Sequence, residues 1–467
     1  MSKNKPFTHP YIPNSAPAAK EAMLKEIGVK SIDEFYEDIP ENLRFKGKMN
    51  LPEPLLSEYE LKRHVENILS KNRSCKELIN FLGGGCYQHY VPAICDEINQ
   101  RSEFLTGYAG EPYEDHGRFQ SLFEYASLMG ELLDMDVVNL PTYDWGQAVS
   151  TSVLMTGRIT GRSEILISES ISPERELIIN NYCRSGMKID SVKFDKETGL
   201  INLDDLKEKM SKDTAGIYLE NPTFFGNIEH RGDTVSDIIH ENGGLLIVGA
   251  DPLSLGILTP PVQYGADIVC GSIQGLGVHM QYGGGLAGFI AVRDEERFVA
   301  EYPSRLFGIT KTDVPGEWGF GDVLYDRTSF GVREQGKEFV GTMSALWGIT
   351  AGVYLALAGP HGMQKLGKTI LQKSQYAMKK LSEIDGVKIR FVPTPHFKEF
   401  VVDFSRTGKP VKDINNVLLD EGISGGLDLS QDFPGMENCA LYCVTEVHTK
   451  EDLDKLADTL NKCLNQK

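Results

Sequence analysis

The sequence predicts an α/β protein built on a largely parallel sheet, on three observations. Five short runs, "EILIS", "GIYLEN", "LLIVGAD", "DIVCGS" and "AGFIAV", are almost continuously apolar. Strands covered on both faces need that pattern, whereas a half-solvated strand alternates. Helical segments such as "TVSDIIHENG" lie between several of the runs, and this alternation builds parallel sheets. The third observation is bulk. A chain of 467 residues, 41% hydrophobic and 24% charged, has a globular composition and enough length for a large core.

The elements follow in order. Residues 1–75 read as a helical arm. "SAPAAKEAMLKEIG" opens on a cap-like Ser15 and closes at Gly28. "SIDEFYEDIP" has a second start at Ser31, with Glu34 at the capping-box spacing. Residues 76–340 read as the large α/β domain. Within it "GRFQSLFEYASLMGELLDM" puts Phe119, Leu122, Phe123, Ala126, Met129 and Leu133 on one helical face. Residues 341–467 read as a long helix and a smaller α+β domain. Its strands are "VKIRFV", "EFVVDF" and "CALYCVTEV", and its last helix starts at Thr449 with Asp452 at the capping spacing. That helix buries Leu453, Leu456 and Leu460.

Charge and cysteine usage narrow the class. A net charge of −18 argues against nucleic acid and anionic membranes as partners. The eight cysteines form no CxxC pair, and several lie in apolar runs. They read as reduced thiols of a cytoplasmic protein. The N-terminus "MSKNKPFTHPYIPNS" lacks the apolar core of a signal peptide. The longest greasy run, "LWGITAGVYLALAG", is too short to span a bilayer.

Open α/β sheets bind ligands beyond the carboxyl ends of their strands, so the residues after each run are the candidates. Asp251 follows "LLIVGA" and can meet the pyridine nitrogen of a cofactor or close a turn. "LPTYDWGQA" opens a helix whose N–H groups can cradle a phosphate, or is simply a helix start. Gly283, Gly284 and Gly285 either admit a ligand's close approach or make a tight connection, the second being favoured. Tyr87, His89 and Tyr90 follow a triple glycine; Tyr108, Tyr113 and His116 sit in a loop with Glu114 and Asp115. Such loops suit a recognition surface, or a solvated connection with aromatics docked on the core. His89 and His116 lack HExxH or paired-cysteine spacing, so no metal is assigned. GxSxG and GxxxxGK[ST] are absent, which disfavours a serine hydrolase or a P-loop.

Many segments, taken in order, resemble one family. They include "HPYIPNS", "EIGVKSIDEFYEDIPENLR", "FLGGGCYQHYVPAICDEINQRSEFLTGYAG", "GRFQSLFEYASLMGELLDMDVVN", "NPTFFGNIE", "DPLSLGILTPPVQYGADIV" and "VTEVHTKEDLDKLADTL". The chain resembles the α subunits of the two-subunit glycine dehydrogenase (decarboxylating), the P-protein of the glycine cleavage system. The resemblance implies the aspartate-aminotransferase-like fold (fold type I) of pyridoxal 5'-phosphate enzymes. It implies a reaction in which glycine is decarboxylated and its aminomethyl group passes to the lipoyl arm of H-protein. The pyridoxal phosphate lysine is expected on a homologous β subunit, in an α2β2 assembly. Gln274 and Gly275 stand where that subunit has His-Lys, so this chain has no catalytic lysine of its own.

Shared-site candidates are Tyr87, His89, Tyr90, Tyr108, Tyr113, His116, Asp251 and Arg327. The chain departs from the family where it reads "YAGEPYEDHG", "YDWGQ" and, from Arg327 to Ser344, "RTSFGVREQGKEFVGTMS". These departures leave two other readings open: a paralogous subunit acting on another small amine such as an N-methylated glycine, and a non-catalytic scaffold or regulatory subunit.

Overall fold

A computed structural model of the chain describes residues 8–105, 118–336, 338 and 344–465. The chain divides into two compact units, Met1–Asn72 and Arg73–Lys467.

The first unit is helical. α1 (Pro17–Ile27) carries proline at its first position, where no backbone N–H is needed. It ends at Gly28, whose φ of 85° is left-handed backbone. Ser15 does not cap it, contrary to the sequence reading. Ala16 is the N-cap, and Ser15 lies in a preceding 3-10 turn, where its Oγ accepts from the His9 N–H and donates to the Ile12 carbonyl. The Ser31–Glu34 capping box forms, but it opens a 3-10 turn, Ile32–Tyr36. α2 (Glu58–Leu69) is capped by Ser57. None of these elements buries a residue.

The second unit holds a seven-stranded sheet: β1 (Val137–Val138), β2 (Glu164–Ser168), β3 (Lys188–Val192), β4 (Thr214–Glu220), β5 (Leu245–Ala250), β6 (Ile268–Ser272) and β7 (Gly288–Val292). Its order is β1-β7-β6-β5-β4-β2-β3. The strands β2 to β6 pair in parallel, and β7 is antiparallel to both neighbours. Every residue of β4, β5 and β7 is buried, as the continuous apolar runs require. Alternate side chains feed two cores. Ile217, Leu246 and Val248 join one, while Tyr218, Leu245 and Ile247 join the other. Helix α3 (Phe119–Leu133) packs Leu122, Met129 and Leu133 inward, with Phe123 and Ala126 half-buried.

Helix α6 (Ala345–Ser382) breaks at Gly359, with φ 58° and ψ 179°, directly before Pro360. Between α3 and α6 lie two helices used below, α4 (Trp145–Thr160) and α5 (Pro173–Cys183). A smaller antiparallel sheet follows, β8 (Lys388–Ile389), β9 (Glu399–Asp403), β10 (Leu427–Asp428) and β11 (Cys439–Cys443), in the order β8-β9-β11-β10. "VKIRFV" yields only two residues of strand, because Phe391 turns the chain at φ 58°. Helix α7 (Lys450–Asn465) starts where expected: the Thr449 N–H donates to Asp452 at 2.8 Å. All eight cysteines are free thiols. Among the described residues no helix is long and apolar enough to cross a membrane.

Candidate active site

The strands β4, β5 and β6 end side by side at Glu220, Ala250 and Ser272. Beyond them the chain assembles one cluster of charged and aromatic groups. Asp251 follows β5. Its Oδ1 accepts the Leu253 N–H at 3.0 Å and its carbonyl accepts the Ser254 N–H at 3.0 Å, so the turn forms. Its other carboxylate oxygen is ion-paired with Lys398 Nζ. The turn expected of Asp251 forms, and the carboxylate that the other reading assigns to a pyridine nitrogen meets a lysine of this chain.

Lys398 enters from the residues just before β9. The Phe397 N–H donates to the Gly226 carbonyl at 2.9 Å. A Cβ on Gly226 would lie 1.8 Å from the Glu399 carbonyl oxygen, so only glycine allows this approach. Lys398 Nζ sits 3.5 Å from the centroid of the Tyr87 ring and 3.5 Å from His89 Nε2. His89 Nδ1 is 2.8 Å from one Glu446 carboxylate oxygen, and the other accepts the Tyr90 N–H at 2.7 Å. The Tyr87 hydroxyl donates to Glu399 at 2.8 Å, and the Gly84 N–H donates to the same carboxylate at 2.7 Å.

The two glutamates are tuned in opposite directions. Burial pushes the Glu399 carboxyl up to about 7, outweighing Lys398 and the two donors. Burial also acts upward on Glu446, but the charge and hydrogen bond of His89 and the Tyr90 N–H hold it down at about 2. For Lys398 burial works downward, but Asp251, Cys443 and Glu399 together more than reverse it, so the ammonium form is favoured.

A second ion pair closes the far wall. Arg175 on α5 grips Glu220 with two bonds of 2.5 and 2.7 Å, and the Tyr218 hydroxyl donates to Glu220 at 3.0 Å. The Arg175 guanidinium lies 4.1 Å from the Trp145 ring centroid. Trp145 opens α4. Its N-cap is Asp144, which accepts the Gln147 N–H at 2.8 Å. The helix end that would draw an anion therefore already carries this chain's own carboxylate. The cavity left among Tyr87, Trp145, Arg175, Asp251, Lys398 and Glu399 is about 20 Å³, room for about one water.

Gln274 and Gly275 lie at the turn after β6. The Gln274 amide accepts the Tyr87 N–H at 3.2 Å and donates to the Tyr87 and Val278 carbonyls at 2.9 and 3.1 Å. It ties down the Tyr87 segment. A Cβ on Gly275 would lie 2.9 Å from Leu253 Cδ1.

Of the sequence candidates, the structure brings together Tyr87, His89 and Asp251. Tyr90 joins through its backbone, while its ring is exposed beside Tyr354 and Leu357. Tyr108, Tyr113 and His116 lie outside the described residues. Arg327 belongs to the opposite end of the sheet: it pairs at 2.6 Å with Asp294, just past the carboxyl end of the antiparallel β7. The triple glycine connects β6 to β7, with Gly283 and Gly284 N–H groups donating to Met280 and Gln281. Lys398, Glu399, Glu446, Arg175 and Glu220 were not singled out from sequence. The one signal was "FKEFVVDF", three charges set inside an apolar run, two of them adjacent. Among the described residues no group of three or more His, Cys, Asp or Glu is placed to hold a metal.

Residues 9–460 match the family model described as glycine cleavage system P-protein. The chain belongs to the glycine cleavage system P-protein family. It is 40% identical, over 98% of its length and 99% of the relative's, to the probable glycine dehydrogenase (decarboxylating) subunit 1 of Staphylothermus marinus. The protein of the same name from Saccharolobus solfataricus is 38% identical, over 98% of each chain. A crystal structure of glycine decarboxylase (P-protein) of the glycine cleavage system, in inhibitor-bound form, superposes with a TM-score of 0.82 at 29% identity, covering 96% of this chain and 98% of that one. A NifS-like protein, 13% identical with a TM-score of 0.61 over 83% of this chain and 99% of its own, shares the fold alone.

The P-protein architecture is thus that of the fold type I pyridoxal phosphate enzymes. This chain's own cavity does not fit that cofactor. Cofactor and small-molecule pockets run to roughly 300–1,000 Å³, the carboxylate facing the cavity is paired, and the turn after β6 offers an amide instead of an amine.

Proposed function

We propose that the chain is the α subunit of a glycine decarboxylase and completes its site together with a homologous subunit that carries the pyridoxal phosphate lysine. The observation that carries this reading is a cavity of only about 20 Å³ beside Asp251 and Lys398, together with an amide, Gln274, at the turn after β6, on a chain otherwise matched end to end by relatives named subunit 1. Glycine loses CO₂, and its aminomethyl group passes to the lipoyl arm of H-protein. The cofactor on the partner supplies the electron sink that decarboxylation needs. This chain supplies a rigid wall, since the segment from Gly83 to Tyr90 is fixed by Glu399, Gln274 and Glu446.

The assembly is proposed to be α2β2 and cytoplasmic. The first unit favours a permanent partner, because Tyr11, Leu43, Phe45 and Leu56 are exposed, and permanent interfaces bury more than about 2,000 Å² of largely apolar surface. Tyr108, Tyr113 and His116 are proposed to contribute to the shared site. Co-expression with the lysine-bearing subunit, sedimentation, and CO₂ release from glycine and N-methylated glycine test the reading. Assembly with glycine turnover is expected. Failure to associate at micromolar concentration, or turnover of another amine alone, overturns it. In the reconstituted complex Tyr108→Phe and His116→Ala should each lower turnover by roughly 10²–10³-fold with assembly intact.

A further inference from the structure

A vacant cofactor site at the carboxyl end of the sheet would span hundreds of Å³, but among the described residues the cavity beside Asp251 is about 20 Å³. The space is occupied. Lys398 is 4% exposed, and its backbone holds φ 50°, a conformation a lysine keeps only when its surroundings enforce it. The enforcement is visible: the Phe397 N–H on Gly226 before it, and the Asp251 carboxylate, the Tyr87 ring and His89 around its ammonium group. A pyridine nitrogen and an ammonium compete for the same carboxylate, and here the ammonium has it. The phosphate side is closed by the same logic. Arg175, the guanidinium lining the cavity, is committed to Glu220, and the N-terminus of α4 is capped by Asp144.

We infer that Lys398 is a resident plug: its ammonium group, seated between Asp251, Tyr87 and His89, excludes pyridoxal phosphate from this chain independently of the missing lysine. The vacated cofactor site is thereby converted into an internal strut, which joins the start of β9 to the end of β5 and to the Tyr87–Tyr90 segment. The inference deepens the two-chain reading, and it is tested on this chain alone. Failure of the partner's assay therefore leaves its outcomes readable.

The experiment is borohydride trapping with pyridoxal phosphate, followed by peptide mapping. A lysine amine condenses with the cofactor's aldehyde, releasing water; hydride then reduces the imine to a stable secondary amine. Three full-length proteins are compared: the natural chain, Gln274→Lys, and Gln274→Lys with Lys398→Ala. In the natural chain residue 398 should stay unlabelled in the folded protein and become labelled once urea unfolds it. Gln274→Lys alone should not label at residue 274, and the double variant should.

Two results overturn the inference. One is labelling of Lys398 in the folded natural chain, which would mean an open cavity with Lys398 itself as the reactive amine. The other is equal labelling of residue 274 in the single and double variants, whether both are labelled or neither is. If the double variant does not fold, the protection of Lys398 in the natural chain decides alone.

Discussion

The two ends of the central sheet are built on opposite principles. At the carboxyl end Lys398, Asp251 and Glu399 line a space of about 20 Å³, and the His89–Glu446 pair lies against Lys398. At the other end an open cavity of about 420 Å³ lies against α3 and β1, lined by Phe123, Met135, Arg293 and Arg327. Its ion pairs, Arg327–Asp294 and Arg293–Asp136, are about half exposed. Volume therefore does not mark the chemistry. Solvated pairs are nearly independent of one another and worth little. Buried charges depend on each other, because each is tolerable only while its partner is present.

The largest expected effect tests that dependence. Lys398→Met keeps most of the stem and deletes the charge, leaving Asp251 beside Glu399 with no cation between Asp251 and Tyr87. Removing one partner of a buried pair typically costs about 3–5 kcal/mol. Urea unfolding of the isolated chain should show that loss as a lowered midpoint at unchanged slope. A loss below about 1 kcal/mol would erase the contrast between the two ends.

Next come two carboxylates of one cluster whose pH dependences run in opposite directions. Glu446 is held at about 2 in the folded chain against an ordinary 4.5. A depressed carboxyl contributes stability that is complete above about pH 4.5 and is lost as pH falls toward 2. The shift corresponds to about 3 kcal/mol, so Glu446→Gln should lower stability at pH 6 and flatten the acid limb. Glu399 is raised to about 7. The folded state then binds that proton more tightly, so its contribution is present below about pH 4.5 and is lost as pH rises through 7. Glu399→Gln keeps an acceptor for Tyr87 and should remove this second slope, again about 3 kcal/mol. Unfolding midpoints from pH 3 to 8 check both; slopes of the same sign in the two variants would contradict the arrangement.

What the sequence made readable, and what it hid, follows the same division. The runs that became β4, β5 and β7 declare themselves by continuous apolarity, a local property. Asp251 was found because it follows such a run, and Tyr87 and His89 because they follow a triple glycine. Lys398, Glu399, Arg175, Glu220 and Glu446 gave no such cue. Each is a charged letter, read as solvated by default, and their burial arises only when segments 45 to 357 residues apart are brought together. Local competition explains the smaller misses: Pro17 moved the start of α1 past Ser15, and a left-handed Phe391 cut a strand short. Arg327 was chosen through family resemblance, which ranks a position without locating it.

Arg327 gives the smallest expected effect and the cleanest control. Its guanidinium reaches Asp294 at 2.6 Å, but the two side chains are 45% and 52% exposed. Water and salt screen such a pair, and holding two long side chains in one geometry offsets part of the attraction. Arg327→Ala in the isolated chain should change stability by no more than about 0.5 kcal/mol, with the difference shrinking further in high salt. Asp294→Ala should do the same, and the double variant should show no more than the sum of the two. A loss of about 3 kcal/mol or more, that of breaking a buried pair, would mean that the open end of the sheet carries a coupled charge network after all. If instead stability holds while turnover falls in the complex with the lysine-bearing subunit, the residue acts across the subunit boundary. In that case the open cavity is where the partner meets this chain.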